Sequence, residues 1–182
     1  MRSAASHPAP PPHRTRLTWL AVVSTIGVIG MLLVPLPEMG RLGEACINLL
    51  HAPVFAGLTI LFHIAVDRLW SWPRWKTNAV AAGSALLLGV ATEWGQTFVG
   101  RQADWHDMWA NACGITAGTL WFVSRRTSSA AKQRAGYGLA ALLLVVASRQ
   151  PAEVLLDGAL QLREMPLMAS FETDRELTRW AG

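Results

Sequence analysis

Residues 92–119 read TEWGQTFVGRQADWHDMWANACGITAGT, and this stretch is the strongest indication of the fold class. It joins two segments that are apolar enough to span a bilayer, yet it carries ionisable and amide side chains in or beside them. Ionisable groups at membrane depth are costly to insert, so they are rare and usually face a protein interior or a cavity. The pattern predicts a helical membrane protein with a polar site. Its polar residues are Glu93, Gln96, Arg101, Asp104, Asp107 and Asn111.

The composition of the whole chain agrees with a membrane location. Hydrophobic residues make up 52% of the 182 residues and charged residues only 15%, whereas soluble domains average about 25% charged. The pI is about 9.8, but the basic residues form no single patch that would suggest nucleic acid as a partner. They fall in short clusters between the apolar runs, and this distribution is a signal of membrane topology. Cys46 and Cys113 both lie in apolar runs, and we interpret each as a small buried side chain.

Five apolar runs predict an all-α fold, a polytopic bundle of four or five transmembrane helices. A helix needs about 20 residues to cross a hydrocarbon core of about 30 Å. The first run has no clear signal-peptide cleavage site after it, so we interpret it as a retained helix. The fifth is short, and whether it spans is left open. The runs cover residues 17–35, 47–66, 78–99, 105–124 and 135–148.

Three regions follow from these runs. Residues 1–16 are basic and proline-rich, which predicts a disordered tail. Residues 17–148 form the predicted transmembrane domain. Residues 149–182 carry six acidic and four basic side chains and contain no predicted span, so we expect an extracytoplasmic tail that could begin a further domain.

The distribution of Lys and Arg between the runs predicts the orientation. The N-terminal tail has three, the connection between the second and third runs has three, and the connection between the fourth and fifth has four. The two intervening connections have one each, Arg41 and Arg101. Because basic connections remain in the cytoplasm, the N-terminus is expected inside and the C-terminus outside.

With this topology, polar residues of three helices should meet in the outer leaflet. His51 lies about one turn inside the outer end of the second run, and Glu93 lies about 9 Å below the outer end of the third. Gln96 shares a helix face with Glu93, and Asn111 shares one with Asp107. Gly114 and Gly118 continue the face of Asp107 and would let another helix approach closely.

Each of these residues also has a purely structural interpretation. Asp104 fits a helix N-cap and Asp107 the N3 position. Arg101 could extend to lipid head groups or pair with Glu93. His51 could be a hydrogen-bonded packing residue, while Gln96 and Asn111 could bond between helices. We favour a ligand site, because an unpaired carboxylate at the depth of Glu93 would be costly, but a structural network stays open.

The ordered set Glu93-x-x-Gln96, Arg101, Asp107, Asn111 and Gly114 resembles the VanZ-like membrane proteins. Leu50-His51-x-x-x-Phe55 is similar to the histidine–aromatic element on an earlier helix of that family, and the resemblance covers about residues 17–125. It implies a protein of the bacterial cytoplasmic membrane, in a family associated with low-level resistance to the lipoglycopeptide teicoplanin. Residues 170–180, SFETDRELTRW, resemble the opening strand of a jelly-roll, carbohydrate-binding-like domain.

Three functions remain open. The first is an accessory envelope protein that binds a lipid-linked glycan or a lipoglycopeptide, with Arg101 contacting a phosphate or carboxylate. The second is an intramembrane enzyme with Glu93 or Asp107 as general base and His51 as acid or metal ligand. No Ser or Cys nucleophile and no His-x-x-x-His pair is apparent, so binding is favoured over catalysis, and neither a metal nor another cofactor is expected. The third is a membrane assembly protein that associates through Gly114 and Gly118; the oligomeric state is not predicted.

Overall fold

The computed structural model is all-helical in the part of the chain that it describes. The backbone is described for residues 12–33, 40–98 and 104–168, and side chains for residues 19–30, 40–98 and 104–160. These ranges contain no strand, so the predicted all-α class is confirmed for them. The helices are α1 (Pro12–Leu33), α2 (Gly40–Leu69), α3 (Arg74–Thr97), α4 (Trp105–Ser124) and α5 (Ala130–Met168).

Two segments within these helices are long and apolar enough to cross a membrane. They are Gly40–Leu69, with mean hydropathy 1.9, and Ala130–Leu160, with mean hydropathy 1.6. The segment Trp19–Gly30 of α1 is apolar but shorter. Length and composition therefore support a membrane protein.

The two ends of the chain differ from the predicted regions. α1 begins at Pro12, so residues 12–16, expected in a disordered tail, are helical; a proline is well suited to a first helical turn, where its missing N–H costs nothing. α5 runs unbroken to Met168, so residues 149–168, expected in the tail, continue the helix. At about 1.5 Å per residue α5 is about 58 Å long, well beyond one bilayer core. Residues 1–11 and 169–182, including the jelly-roll-like segment, lie outside the described residues.

The first turns of α2 pack against the extended part of α5. α2 begins at Gly40, which has a φ of +62°, rather than near Ile47 as expected. In this added segment Leu42 packs directly on Gly158 of α5, where any Cβ would collide with the leucine side chain. Each helix thus covers the other beyond its apolar run.

The centre of the bundle is the close contact between α2 and α4. A Cβ on Gly114 would collide with the carbonyl oxygen of Ala52, and one on Gly118 would lie 2.5 Å from that of Ala56. The two pairs advance together along both helices, so α2 and α4 run parallel. α2 packs against each of the other four helices, while α5 covers α2 and α4, and α1 covers α2 and α3.

The described side chains enclose several polar groups within the core and leave many large apolar groups exposed. The largest fully buried side chains are those of Phe55, His51, His63, Gln96, Thr59 and Thr77, of which one is apolar. On the exterior, Leu87 of α3 is 72% exposed and Trp94 of the same helix is 69% exposed. In soluble proteins, charged side chains are rarely fully buried and large exposed apolar patches are uncommon. This distribution is typical of a helix bundle surrounded by lipid.

Candidate functional site

Three ionisable residues from three helices meet inside the bundle. His51 of α2, Glu93 of α3 and Asp107 of α4 each place one ring-nitrogen or carboxylate-oxygen atom within 4.8 Å of those of the other two. The His51 Nδ1 and Asp107 Oδ1 atoms are 3.9 Å apart. The three side chains are almost fully enclosed, with residue exposures of 1%, 3% and 4% in the same order. We call these three residues the polar cluster.

The α4 end of the polar cluster is positioned by a helix cap. Asp104 has an extended backbone (φ −109°, ψ 131°), and its carboxylate accepts a hydrogen bond of 2.9 Å from the His106 backbone N–H. This hydrogen bond holds the pKa of the Asp104 carboxyl below its usual range. The N-cap expected for Asp104 is thus present. It fixes Asp107 in the first turn of α4, on the side that faces α2.

The α3 side of the cluster depends on Gly89, which has no side chain to keep the helices apart. A Cβ there would lie 3.3 Å from the Phe55 ring and 3.6 Å from the Asn111 amide nitrogen. Gly89 therefore lets α3 settle against α2 and α4. Glu93 follows Gly89 by one helical turn and so comes level with His51, which precedes Phe55 by one turn.

Two buried amides lie one turn from members of the polar cluster. Gln96 follows Glu93 on α3 and is fully buried, and Asn111 follows Asp107 on α4 and is 3% exposed. Among the described residues, neither the amide nitrogen nor the amide oxygen of Gln96 has a hydrogen-bond partner, and the Asn111 oxygen also has none. A buried amide without partners costs about 1–3 kcal/mol. Such groups therefore indicate a ligand or ordered water between these helices.

A cavity of about 350 Å³ reaches the polar cluster from the end of the bundle where α4 begins. Asp107 belongs to both, so it lines the cavity and forms one side of the cluster. The walls come from α2, α4 and α5 and carry both signs of charge. Its polar lining residues are Arg41, Glu44, Asn48, Asp104, His106, Asp107 and Gln150.

Several residues of this cavity were absent from the predicted site. Arg41 and Glu44 lie on the added segment of α2, Asn48 lies at the start of the predicted second run, and Gln150 lies in the part of α5 that the sequence assigned to a tail. The extension of both helices brings Arg41, Glu44 and Gln150 to the same cavity. The mixed apolar and charged pattern after residue 150 fits a helix that packs against a partner. This pattern was therefore a signal for the extension of α5.

The remaining predicted residues have different positions. Arg101 lies outside the described residues, as does any pairing with Glu93. Gly114 and Gly118 are covered by Ala52 and Ala56 of the same chain. Both glycines therefore serve the α2–α4 contact, and this surface is not available to a second chain.

A second buried histidine lies farther along α2 and belongs to a separate contact. His63 stacks on Phe122, with ring centroids 4.5 Å apart, and its Nε2 lies 3.3 Å from the Thr119 hydroxyl. Beyond it, Arg126 donates two hydrogen bonds to the Asp67 carboxylate. These contacts join the other ends of α2 and α4. We interpret His63 as a packing residue.

Comparisons with protein-family models, curated proteins and solved structures found no match to this chain. The chemistry of the site therefore indicates its function. Its features are an enclosed cluster of one imidazole and two carboxylates, two buried amides beside it, and a charged cavity that opens from it.

Proposed function

We propose that this protein is a multi-pass, VanZ-like protein of the bacterial cytoplasmic membrane that binds the polar head group of an amphiphilic envelope molecule. The ligand class is a lipid-linked glycan or a lipoglycopeptide. The main support is the cavity lined by Asp107, because it carries charged and amide side chains and opens beside apolar helix surfaces. A head group would occupy the cavity while its lipid chain lies along the exterior.

The bundle crosses the membrane with its N-terminus in the cytoplasm and the cavity toward the outer leaflet. The distribution of basic residues supports this orientation. The apolar exterior of α3, which includes Leu87 and Trp94, supports a transmembrane position for that helix as well. About 20 residues of α5 are enough to cross the core, so its second half projects from the outer surface together with the start of α2.

The cavity chemistry fits a glycan or phosphate head group. Arg41 supplies a permanent cation that can pair with phosphate or carboxylate. Glu44 and Asp104 can accept hydrogen bonds from sugar hydroxyls, and the amides of Asn48 and Gln150 can donate or accept them. Val146, exposed on α5, lies at the edge of the cavity where a lipid chain would leave it.

Filling the cavity tests this function. Ala147 lines the cavity from α5, so Ala147→Phe should obstruct it. The protein would be placed in nanodiscs and titrated with fluorescent teicoplanin and with a polyprenyl-diphosphate-linked sugar. We expect saturable binding of at least one probe to the parent and at least about tenfold weaker binding to Ala147→Phe, equivalent to about 1.4 kcal/mol.

Two controls make the result specific. Ala141→Phe adds the same ring to an exposed position of the same helix and should bind like the parent. Sugar or glycopeptide without a lipid chain should bind more weakly than the amphiphile. Equal affinity of the parent and Ala147→Phe for every probe would contradict head-group binding in this cavity.

A second candidate is an intramembrane enzyme that acts on a lipid-linked substrate. The observation that favours it is the proximity of His51 and Asp107 beside Glu93, with Asp107 also lining the cavity. One carboxylate could serve as general base and the imidazole as acid. Turnover of the lipid-linked sugar by the parent, lost in Asp107→Asn while binding persists, would favour this candidate over a binding protein.

A further inference from the structure

We propose that His51, Glu93 and Asp107 hold a divalent transition-metal ion between α2, α3 and α4. The residues supply one imidazole and two carboxylates, and their candidate ligand atoms all lie within 4.8 Å of one another. The site does not depend on the proposed head-group function, since a metal could bind whether or not an amphiphile enters the cavity.

The chemistry of the donors selects the class of ion. Imidazole is a ligand of zinc, iron, copper and nickel, whereas Mg²⁺ and Ca²⁺ prefer oxygen ligands alone. Two carboxylates beside one imidazole, with no thiolate in the cluster, fit Zn²⁺ or Mn²⁺. Zn²⁺ is the stronger binder of the two, so it is the probe of choice.

The geometry lies close to that of a bound site. Ligand atoms about 2.0–2.2 Å from a zinc ion lie about 3.3–3.6 Å from each other in tetrahedral arrangement. The separation of 3.9 Å between His51 Nδ1 and Asp107 Oδ1 needs only small side-chain rotations to reach this range. Because all three side chains come from packed helices, the site needs no movement of a loop.

The buried amides provide an independent indication. Gln96 and Asn111 are buried, lie one turn from Glu93 and Asp107, and have polar atoms without hydrogen-bond partners among the described residues. A metal with three protein ligands keeps at least one position for water. Water bound there can accept from and donate to these amides, as outer groups commonly do around metal sites.

Zinc binding by the purified protein tests the proposal. Protein carrying no histidine tag would be treated with EDTA in detergent and then dialysed against Zn²⁺. We expect one Zn²⁺ per chain, with affinity lowered at least 10–100-fold (about 1.4–2.7 kcal/mol) in Glu93→Gln and in Asp107→Asn. Mg²⁺ at the same concentration should not compete. Failure of the parent to retain one Zn²⁺ would overturn the proposal.

Two controls separate this site from adventitious binding. His63→Gln removes a buried histidine of the same helix that lies outside the cluster, and should leave the Zn²⁺ stoichiometry unchanged. Glu153→Gln removes an exposed carboxylate of α5 that lies outside the cluster, and should do the same. Unchanged Zn²⁺ affinity in both Glu93→Gln and Asp107→Asn would show that the metal binds elsewhere.

Spectroscopy of the parent keeps the proposal testable if the cluster variants do not fold. X-ray absorption at the zinc edge should show nitrogen and oxygen ligands that include one imidazole. Sulfur in the coordination shell would assign the metal to Cys46 or Cys113, and the absence of imidazole scattering would exclude His51; either result would overturn the proposal. The measurement needs no amphiphile, so its outcome is independent of the head-group function.

Discussion

Replacing Gly114 with alanine should weaken the bundle at its tightest contact. The new Cβ would collide with the Ala52 carbonyl oxygen, and its neighbouring atoms would be the Ala52 carbonyl carbon at 3.0 Å and Cα at 3.1 Å. All three belong to the backbone of α2, so no side-chain rotation relieves the overlap. The two helices must separate, and the contact between Gly118 and Ala56 must open with them.

The size of the effect follows from two opposing terms. Overpacking costs about 1–3 kcal/mol, and a backbone obstacle places this case at about 3 kcal/mol. Alanine is a better helix former than glycine by about 1 kcal/mol. The net loss should be about 2 kcal/mol, which is about 30-fold in the unfolding equilibrium constant.

Gly57→Ala is the matched control. Gly57 lies on the exposed side of α2, and nothing lies within 4 Å of a Cβ built there. It should gain up to about 1 kcal/mol from helix propensity alone. Unfolding by SDS in mixed micelles, followed by tryptophan fluorescence, should therefore separate the two variants by about 3 kcal/mol. Equal stability of Gly114→Ala and Gly57→Ala would refute the close α2–α4 contact.

Three further predictions concern the topology, the charges and the cap. Compartment reporters fused after Ser71, Gly100, Ser128 and Gly182 should read inside, outside, inside and outside; reporters after Ser128 and Gly182 on the same side would show that α5 does not cross. Glu93→Gln and Arg101→Ala should insert and express like the parent but abolish any glycopeptide-sensitivity phenotype, and full activity of Glu93→Gln would favour a structural network. Asp104→Ala should destabilise the protein by about 1 kcal/mol at neutral pH, by loss of the N-cap, and Asp104→Asn by less. Because the folded pKa of Asp104 is lowered, this contribution is present above the ordinary aspartate pKa and declines as the pH falls through the lowered value, so unfolding of the parent and of Asp104→Ala should converge in acid. A constant difference between them across that pH range would contradict the cap.

The helices could be predicted where local signals are strong. α4 was predicted at both ends, because Asp104 provides a cap and the apolar run ends before two arginines. α5 was predicted far too short, because charged residues such as Arg149 and Glu153 resemble the end of a span. Those residues instead form an ion pair of 2.7 Å along the exposed side of the continuing helix. Hydropathy alone does not distinguish the two cases.

The residues of the polar cluster could be predicted from the sequence. The chemistry that they can perform together was harder to predict. His51, Glu93 and Asp107 were each candidates, and the structure brings them together. A metal site formed by all three residues was not predicted, because short motifs detect ligands on a single helix, and these come from three. Their spacing in the chain, 42 and 14 residues, carries no ligand signature.

The helices of the membrane-embedded bundle are expected to turn their polar residues inward. This orientation can be tested most directly on α3. Single cysteines along α3, in a background without Cys46 and Cys113, would be spin-labelled and reconstituted in liposomes. Power-saturation EPR would then compare accessibility to oxygen, which concentrates in lipid, with accessibility to a water-soluble nickel chelate. This orientation should give high oxygen accessibility at Leu87 and Trp94 and low accessibility to both reagents at Glu93, repeating with helical period. High nickel accessibility all along the helix, or a lipid-facing label at Glu93, would contradict it.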